Sequence, residues 1–120
     1  MIMDVRFALN EMLFEYDDKK NQANIKKHGI SFEIAARVFL DYDRIEMFDD
    51  ENSNEEERFD TIGNIGASTG DYKNGNIGKF DDIVFVVYTE RNRNGDNTIT
   101  RIISARRATS FEKGVYYGKY

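Results

Sequence analysis

The sequence predicts a small α+β domain: an antiparallel sheet of about four to five strands, two N-terminal helices packed on it and a short C-terminal helix. Three observations predict it. Apolar residues recur at a helical period in residues 31–40, residues 83–88 form a continuous apolar run rich in β-branched side chains, and the later strand-like segments follow one another through turn-rich connections. Helices grouped ahead of hairpin-linked strands place those helices on one face of an antiparallel sheet. A chain of 120 residues holds one domain.

The elements follow in order. Residues 1–11 read as a flexible start, and residues 12–16 as a first strand. Asp17 caps a helix that runs to His28, where Lys26, Lys27 and His28 suit the negative helix end and Gly29 suits the left-handed position beyond it. Ser31 caps a second helix, whose Phe32, Ala35, Ala36, Phe39 and Leu40 follow the pattern of a helix laid on a core. Residues 44–48 read as a strand, 49–57 as an acidic turn and 58–64 as the next strand, with Phe59 and Thr61 on one face and Ile62 on the other. Residues 66–82 form a long exposed connection rich in Gly, Asn and Asp. Residues 83–89 are apolar on both faces, as a central strand is. A turn around Asn94-Gly95-Asp96 returns the chain as a strand over 98–106, and residues 108–117 close it with a short helix.

Composition removes many chemistries. With no cysteine and one histidine, the chain offers no disulfide, no thiol nucleophile and no two-histidine metal site. Gly63-Asn64-Ile65-Gly66 is not followed by the Gly-Lys-Ser/Thr pattern of a phosphate loop, and Asp49, Asp50 and Glu51 lack EF-hand spacing. The first residues show no signal-peptide pattern, and the longest apolar run is too short to span a bilayer, so a soluble cytoplasmic protein without a cofactor is expected. Net charge is −5 but unevenly spread: residues 41–60 carry −8 and residues 89–120 carry +4, which suits a basic working surface on an acidic body.

Cations on defined elements are what remain. On the first helix Lys20, Asn24, Lys27 and His28 fall at 0°, 40°, 340° and 80°, a polar stripe that faces either a phosphate or plain solvent. In the last strand, strict alternation puts Arg101 on one face with Ile99 and Ile103, and Ser104 with Arg106 on the opposite face. An arginine flanked by isoleucines is half-buried, and pairs either with an acid such as Glu90 or Glu112 or with an anionic ligand.

Several segments match a known family in order. They are Phe14-Glu15-Tyr16-Asp17 with Lys20, then Asn24 and Lys27-His28-Gly29, then Phe32, Ala35-Ala36 and Phe39. Further on come Glu57-Arg58-Phe59, Ile62-Gly63, Val86-Val87-Tyr88-Thr89-Glu90-Arg91 and Arg101-Ile102-Ile103-Ser104-Ala105-Arg106-Arg107-Ala108-Thr109, with Glu112 and Tyr116 closing the pattern. With these the chain resembles the BrnT toxins of bacterial type II toxin–antitoxin pairs. The resemblance implies a RelE-like fold, a ribonuclease that stops translation, and a BrnA-like antitoxin with a ribbon-helix-helix part through which the pair reaches DNA and represses its operon. The 66–82 connection is longer than the family pattern, and Phe111, Gly114 and Val115 stand in a tail that is often more basic there.

Such an enzyme needs no metal, because RNA carries its own nucleophile in the 2′-hydroxyl. The expected phosphate clamps are Arg58, Arg91, Arg101 and Arg106, with Arg101 and Arg106 preferred and Ser104 positioning the scissile group. Proton transfer falls to His28, Lys20 or Glu90, while Lys20, Asn24, Lys27 and Arg107 hold the rest of the substrate. Two competing readings are a catalytically inactive module acting with a ribbon-helix-helix partner, and a nucleic-acid binder acting alone. The negative net charge and the lack of a basic recognition helix disfavour the latter.

Overall fold

The computed structural model describes residues 3–66, 82–93 and 97–118; residues 67–81 of the expected long connection and 94–96 of the expected turn lie outside them. The chain starts with a strand, where a flexible start was expected. β1 (Asp4–Leu9) turns Val5, Phe7 and Leu9 inward in alternation with Asp4, Arg6 and Ala8. It pairs antiparallel with β2 (Met12–Asp17) through a two-residue turn at Asn10 (φ 52°) and Glu11 (φ 71°), the positive-φ pair of a hairpin that keeps the strands' twist. Phe7 stacks on Phe14 with ring centroids 5.2 Å apart, which anchors the first strand to the core.

α1 (Asp18–His28) begins and ends as its sequence dictates. The Asp17 side chain accepts from the Lys20 amide, and Gly29 takes the left-handed conformation at φ 72°. The second helix is shorter than expected. Ser31 caps α2 (Phe32–Ala35), a single turn, and residues 36–40 continue as a 3-10 helix. Its tighter winding eclipses residues three apart, so Ala35 lies over Val38 and Ala36 over Phe39, all four buried. β3 (Ile45–Phe48), β4 (Phe59–Asn64), β5 (Ile83–Arg93) and β6 (Asn97–Arg107) form the antiparallel run, and α3 (Ser110–Tyr116) closes the chain behind a Thr109–Glu112 capping box.

The sheet has six strands in the order β1-β2-β6-β5-β4-β3. It is mixed, not antiparallel throughout, because β2 lies parallel to β6. That pairing arises because α1 and α2 cross one face between β2 and the antiparallel run, where Phe14, Tyr16, Phe32, Phe39, Val86, Tyr88 and Ile102 close the core. Tyr16 meets Phe32, and Phe39 meets both Phe14 and Tyr88, in ring contacts of 5.0–5.6 Å.

One irregularity decides the geometry of the working surface. The β5–β6 register pairs Val87 with Ser104 but Tyr88 with Ile102, leaving Ile103 as an extra residue. Paired residues share a face, so Arg101 (opposite Thr89), Ser104 (opposite Val87) and Arg106 (opposite Phe85) all lie on the same side. Strict alternation had separated Arg101 from Arg106; the bulge reunites them. Asn24 supports the strand just past this point: its amide donates to the carbonyls of Ala105 (2.8 Å) and Ile30 (2.9 Å), and its oxygen accepts from the Ala105 N–H (3.2 Å).

Candidate functional site

The sheet face turned away from α1 and α2 carries the polar constellation. Three rows run across it: Arg6–Glu15–Arg101–Thr89, then Asp60–Val87–Ser104, then Ile62–Phe85–Arg106. α3 closes one end, where Glu112 meets Arg106 and Tyr116 donates to Asp41 at 2.6 Å.

Glu15 sits between Phe14 and Tyr16 in sequence, so alternation sends its carboxylate to the face opposite those core rings. It is fully buried, and a buried carboxylate must be paired. Arg101 Nη1 lies 2.6 Å from it, and Arg6 Nε and Arg91 Nη1 each 3.6 Å. Arg101 also reaches Asp4 at 3.1 Å, so its partners are Glu15 and Asp4 rather than Glu90 or Glu112. Burial works against the Arg101 charge, but its hydrogen bonds to Asp4 and Glu15 outweigh it and raise the guanidinium's pKa.

Arg106 is built differently. Its guanidinium lies 4.3 Å from the centre of the Phe85 ring and grips Glu112 bidentately at 2.7 and 3.0 Å. That grip raises the Arg106 pKa and holds Glu112 below the usual carboxylate range.

Arg58 stands just before β4, and its carbonyl accepts from the Asp49 amide, extending the β3–β4 pairing by one step. Its Nε is buried with no hydrogen-bond partner among the described residues. Arg58 and Arg91 line an open cleft of about 510 Å³ with Asn52, Asn54, Glu55 and Glu56. Arg91 spans the two parts of the site, 3.3 Å from Glu56 and 3.6 Å from Glu15. Asp60, two residues along from Arg58, has one buried oxygen without a donor; burial first, then the Asp49 carboxylate, pushes it up to about 6. Among the described residues, no three His, Cys, Asp or Glu side chains gather as metal ligands.

The family model for the ribonuclease toxin BrnT of type II toxin–antitoxin systems matches residues 16–112. The chain belongs to this family. The crystal structure of the Brucella abortus ribonuclease toxin BrnT is similar at 22% identity, over 79% of this chain and 94% of that one, with a TM-score of 0.48. No curated protein matches the chain. Membership places the chain among the BrnT-type toxins of type II toxin–antitoxin systems, which implies an antitoxin partner. Among the described residues, no helix is long and apolar enough to cross a membrane.

Within the stretch matched to BrnT, the structure brings Arg58, Arg91, Arg101, Ser104 and Arg106 to one face. The other expected residues lie elsewhere. Glu90 opposes Thr100 and, by alternation from Arg91, points to the helix side of the sheet. Lys20, Lys27 and His28 belong to α1, also on that side, the lysines exposed and the histidine half-buried. Asn24 is buried and committed to the Ala105 and Ile30 backbone, which corrects the reading of a substrate-facing stripe. Arg107 opposes Val84, not the open face, and pairs with Asp82.

Sequence reasoning missed Asp4, Arg6 and Glu15 as site members. Asp4 and Arg6 fell in a segment read as flexible. The signal for Glu15 was its place in a short strand between two core aromatics, which forces it onto the opposite face.

Proposed function

We propose that the chain cleaves RNA without a metal, by attack of a 2′-hydroxyl on the neighbouring phosphate, and so inhibits translation until a BrnA-like antitoxin neutralises it. Arg58 and Arg91, at the mouth of the cleft, grip the phosphodiester. Arg101 is a positioning residue: it shares Glu15 with Arg91 and holds that carboxylate, and through it Arg91, in place. Ser104 and Arg106 extend the polar surface along the same face. The single observation that carries this reading is the meeting of five arginines, Arg6, Arg58, Arg91, Arg101 and Arg106, on one sheet face beside an open cleft, although they are scattered along the chain. Contact with DNA comes through the antitoxin's ribbon-helix-helix part, since this chain has net charge −5.

A second reading has its own observation. Arg101 and Arg106 already hold carboxylates of their own chain, as they would in an inactive module that serves only its antitoxin and operon control. One experiment separates the two. Purified protein is incubated with RNA and a chelator, and the gene is induced in growing bacteria with and without the co-expressed antitoxin. RNA cleavage that survives the chelator, with growth arrest relieved by the antitoxin, is expected. Intact RNA and normal growth from a folded, soluble protein favour the inactive module.

A further inference from the structure

We propose that Asp60 is the general base of RNA cleavage, taking the proton from the attacking 2′-hydroxyl, and that the Asp49 carboxylate beside it tunes that role. The inference rests on the ribonuclease reading above and adds the group that reading lacks.

The base must stand on the same face as the arginines that hold the phosphate. This removes His28, Lys20 and Glu90, which belong to the other side of the sheet. Most of the described carboxylates on the arginine face are engaged; Glu55, which lines the cleft, is solvent-exposed. Glu15 is fully buried among three guanidiniums, Asp4 is held by Arg101, Glu56 by Arg91, and Glu112 by both Arg106 and its helix cap. Asp49 accepts from the amide and side chain of Asn52. Asp60 is held by no cation among the described residues: one of its oxygens is buried with no hydrogen-bond partner, as are Glu15 Oε1 among its three arginines and Asp17 Oδ1 at the cap of α1, but Asp60 has only the Asp49 carboxylate beside it.

Its surroundings fit the task. The β3–β4 register puts Asp60 opposite Met47, and the next pair, Asp49 with Arg58, shares the same face. On its other side Asp60 opposes Val87, which opposes Ser104. Arg58, with its own unpartnered Nε, thus precedes Asp60 on one strand face, and Ser104 lies across from it in the same row. A ribonucleotide presents the complementary pair of groups, an anionic phosphate for Arg58 and a hydroxyl donor for Asp60. The charged groups that act on Asp60 are Asp49 from the end of β3, Arg106 from β6 and Glu112 from α3. Burial, Asp49 and Glu112 disfavour its anion, Arg106 favours it, and the balance leaves a carboxyl near 6, suited to accept a proton at neutral pH.

The 2′-oxygen forms a bond to phosphorus as its proton passes to Asp60. The bond from phosphorus to the 5′-oxygen breaks, and that oxygen keeps the electron pair and takes a proton from water. The products are a 2′,3′-cyclic phosphate and a 5′-hydroxyl, and Asp60 returns its proton to solvent.

The test is the pH dependence of kcat/KM on an oligoribonucleotide, with thermal melting of each variant as the control on folding. Wild type is expected to rise with pH through about 6 to a plateau. Asp60→Asn is expected to lose about 10²–10⁴-fold at the plateau and to lack that rise. It is expected to melt no lower than wild type at pH 7, because it removes a carboxylate whose ionised form the fold disfavours. Asp49→Asn is expected to stay active and to shift the rise to lower pH, since one negative neighbour is gone. An Asp60→Asn protein that cleaves within about threefold of wild type and keeps the acid limb overturns the inference alone. A folded wild type that cleaves no RNA overturns the ribonuclease reading, and this inference with it.

Discussion

Glu15→Ala is expected to destabilise the fold by about 3–5 kcal/mol, the usual cost of removing one partner from a buried ion pair. Glu15 is fully buried and faces Arg6, Arg91 and Arg101. Without it, three positive groups on β1, β5 and β6 face one another, and the least exposed, Arg101, keeps only Asp4. The loss is not shared evenly by the partners. The Arg6 side chain is 55% exposed, so Arg6→Ala is expected to cost within about 1 kcal/mol, as surface ion pairs do. Urea unfolding of the two variants at unchanged m value measures both effects. A Glu15→Ala loss below about 1 kcal/mol contradicts the assignment of this carboxylate as the electrostatic anchor of the site.

Arg58→Ala is expected to lower kcat/KM on RNA by about 10²–10³-fold, about 2.7–4 kcal/mol in the barrier, as loss of one donor to a developing oxyanion does. Its effect on stability is expected to stay within about 0.5 kcal/mol, because the Nε of Arg58 has no partner to lose among the described residues. Arg101→Ala behaves in the opposite way. It removes the closest partner of a fully buried carboxylate, so its stability falls by several kcal/mol, and any loss of activity mixes folding with chemistry. Steady-state kinetics and equilibrium unfolding on the same preparations separate the two residues. Full activity in a folded Arg58→Ala protein contradicts its role as a phosphate clamp.

Much of the fold was legible because local chemistry and tertiary packing agree there. Asp17 bounds the first helix through its side chain and Gly29 through the lack of one, and residues 83–88 are apolar enough to be a central strand in any context. Where the two disagree, the sequence misleads. β1 is short and half polar, and it becomes a strand only because Phe7 finds Phe14 across a tight hairpin. The parallel β2–β6 pairing joins segments more than eighty residues apart, which no local pattern encodes.

The site was legible in its residue types but not in its grouping. Arg58, Arg91, Arg101, Ser104 and Arg106 stood out as candidates, yet their common face depends on one extra residue, Ile103, between Ile102 and Ser104. A one-residue bulge inverts every later side chain, and nothing in Ile102-Ile103-Ser104 announces it. The polar stripe on α1 was misread for a related reason. Asn24 satisfies the backbone of a strand that meets it only in three dimensions.

The ends left on a cut oligonucleotide show whether this arginine face drives attack by RNA's own hydroxyl. With chelator present, wild type is predicted to leave a 2′,3′-cyclic phosphate and a 5′-hydroxyl, and to spare a substrate that is 2′-deoxy at the scissile position. Cleavage that stops with chelator, or that proceeds equally on the 2′-deoxy substrate, contradicts that mechanism.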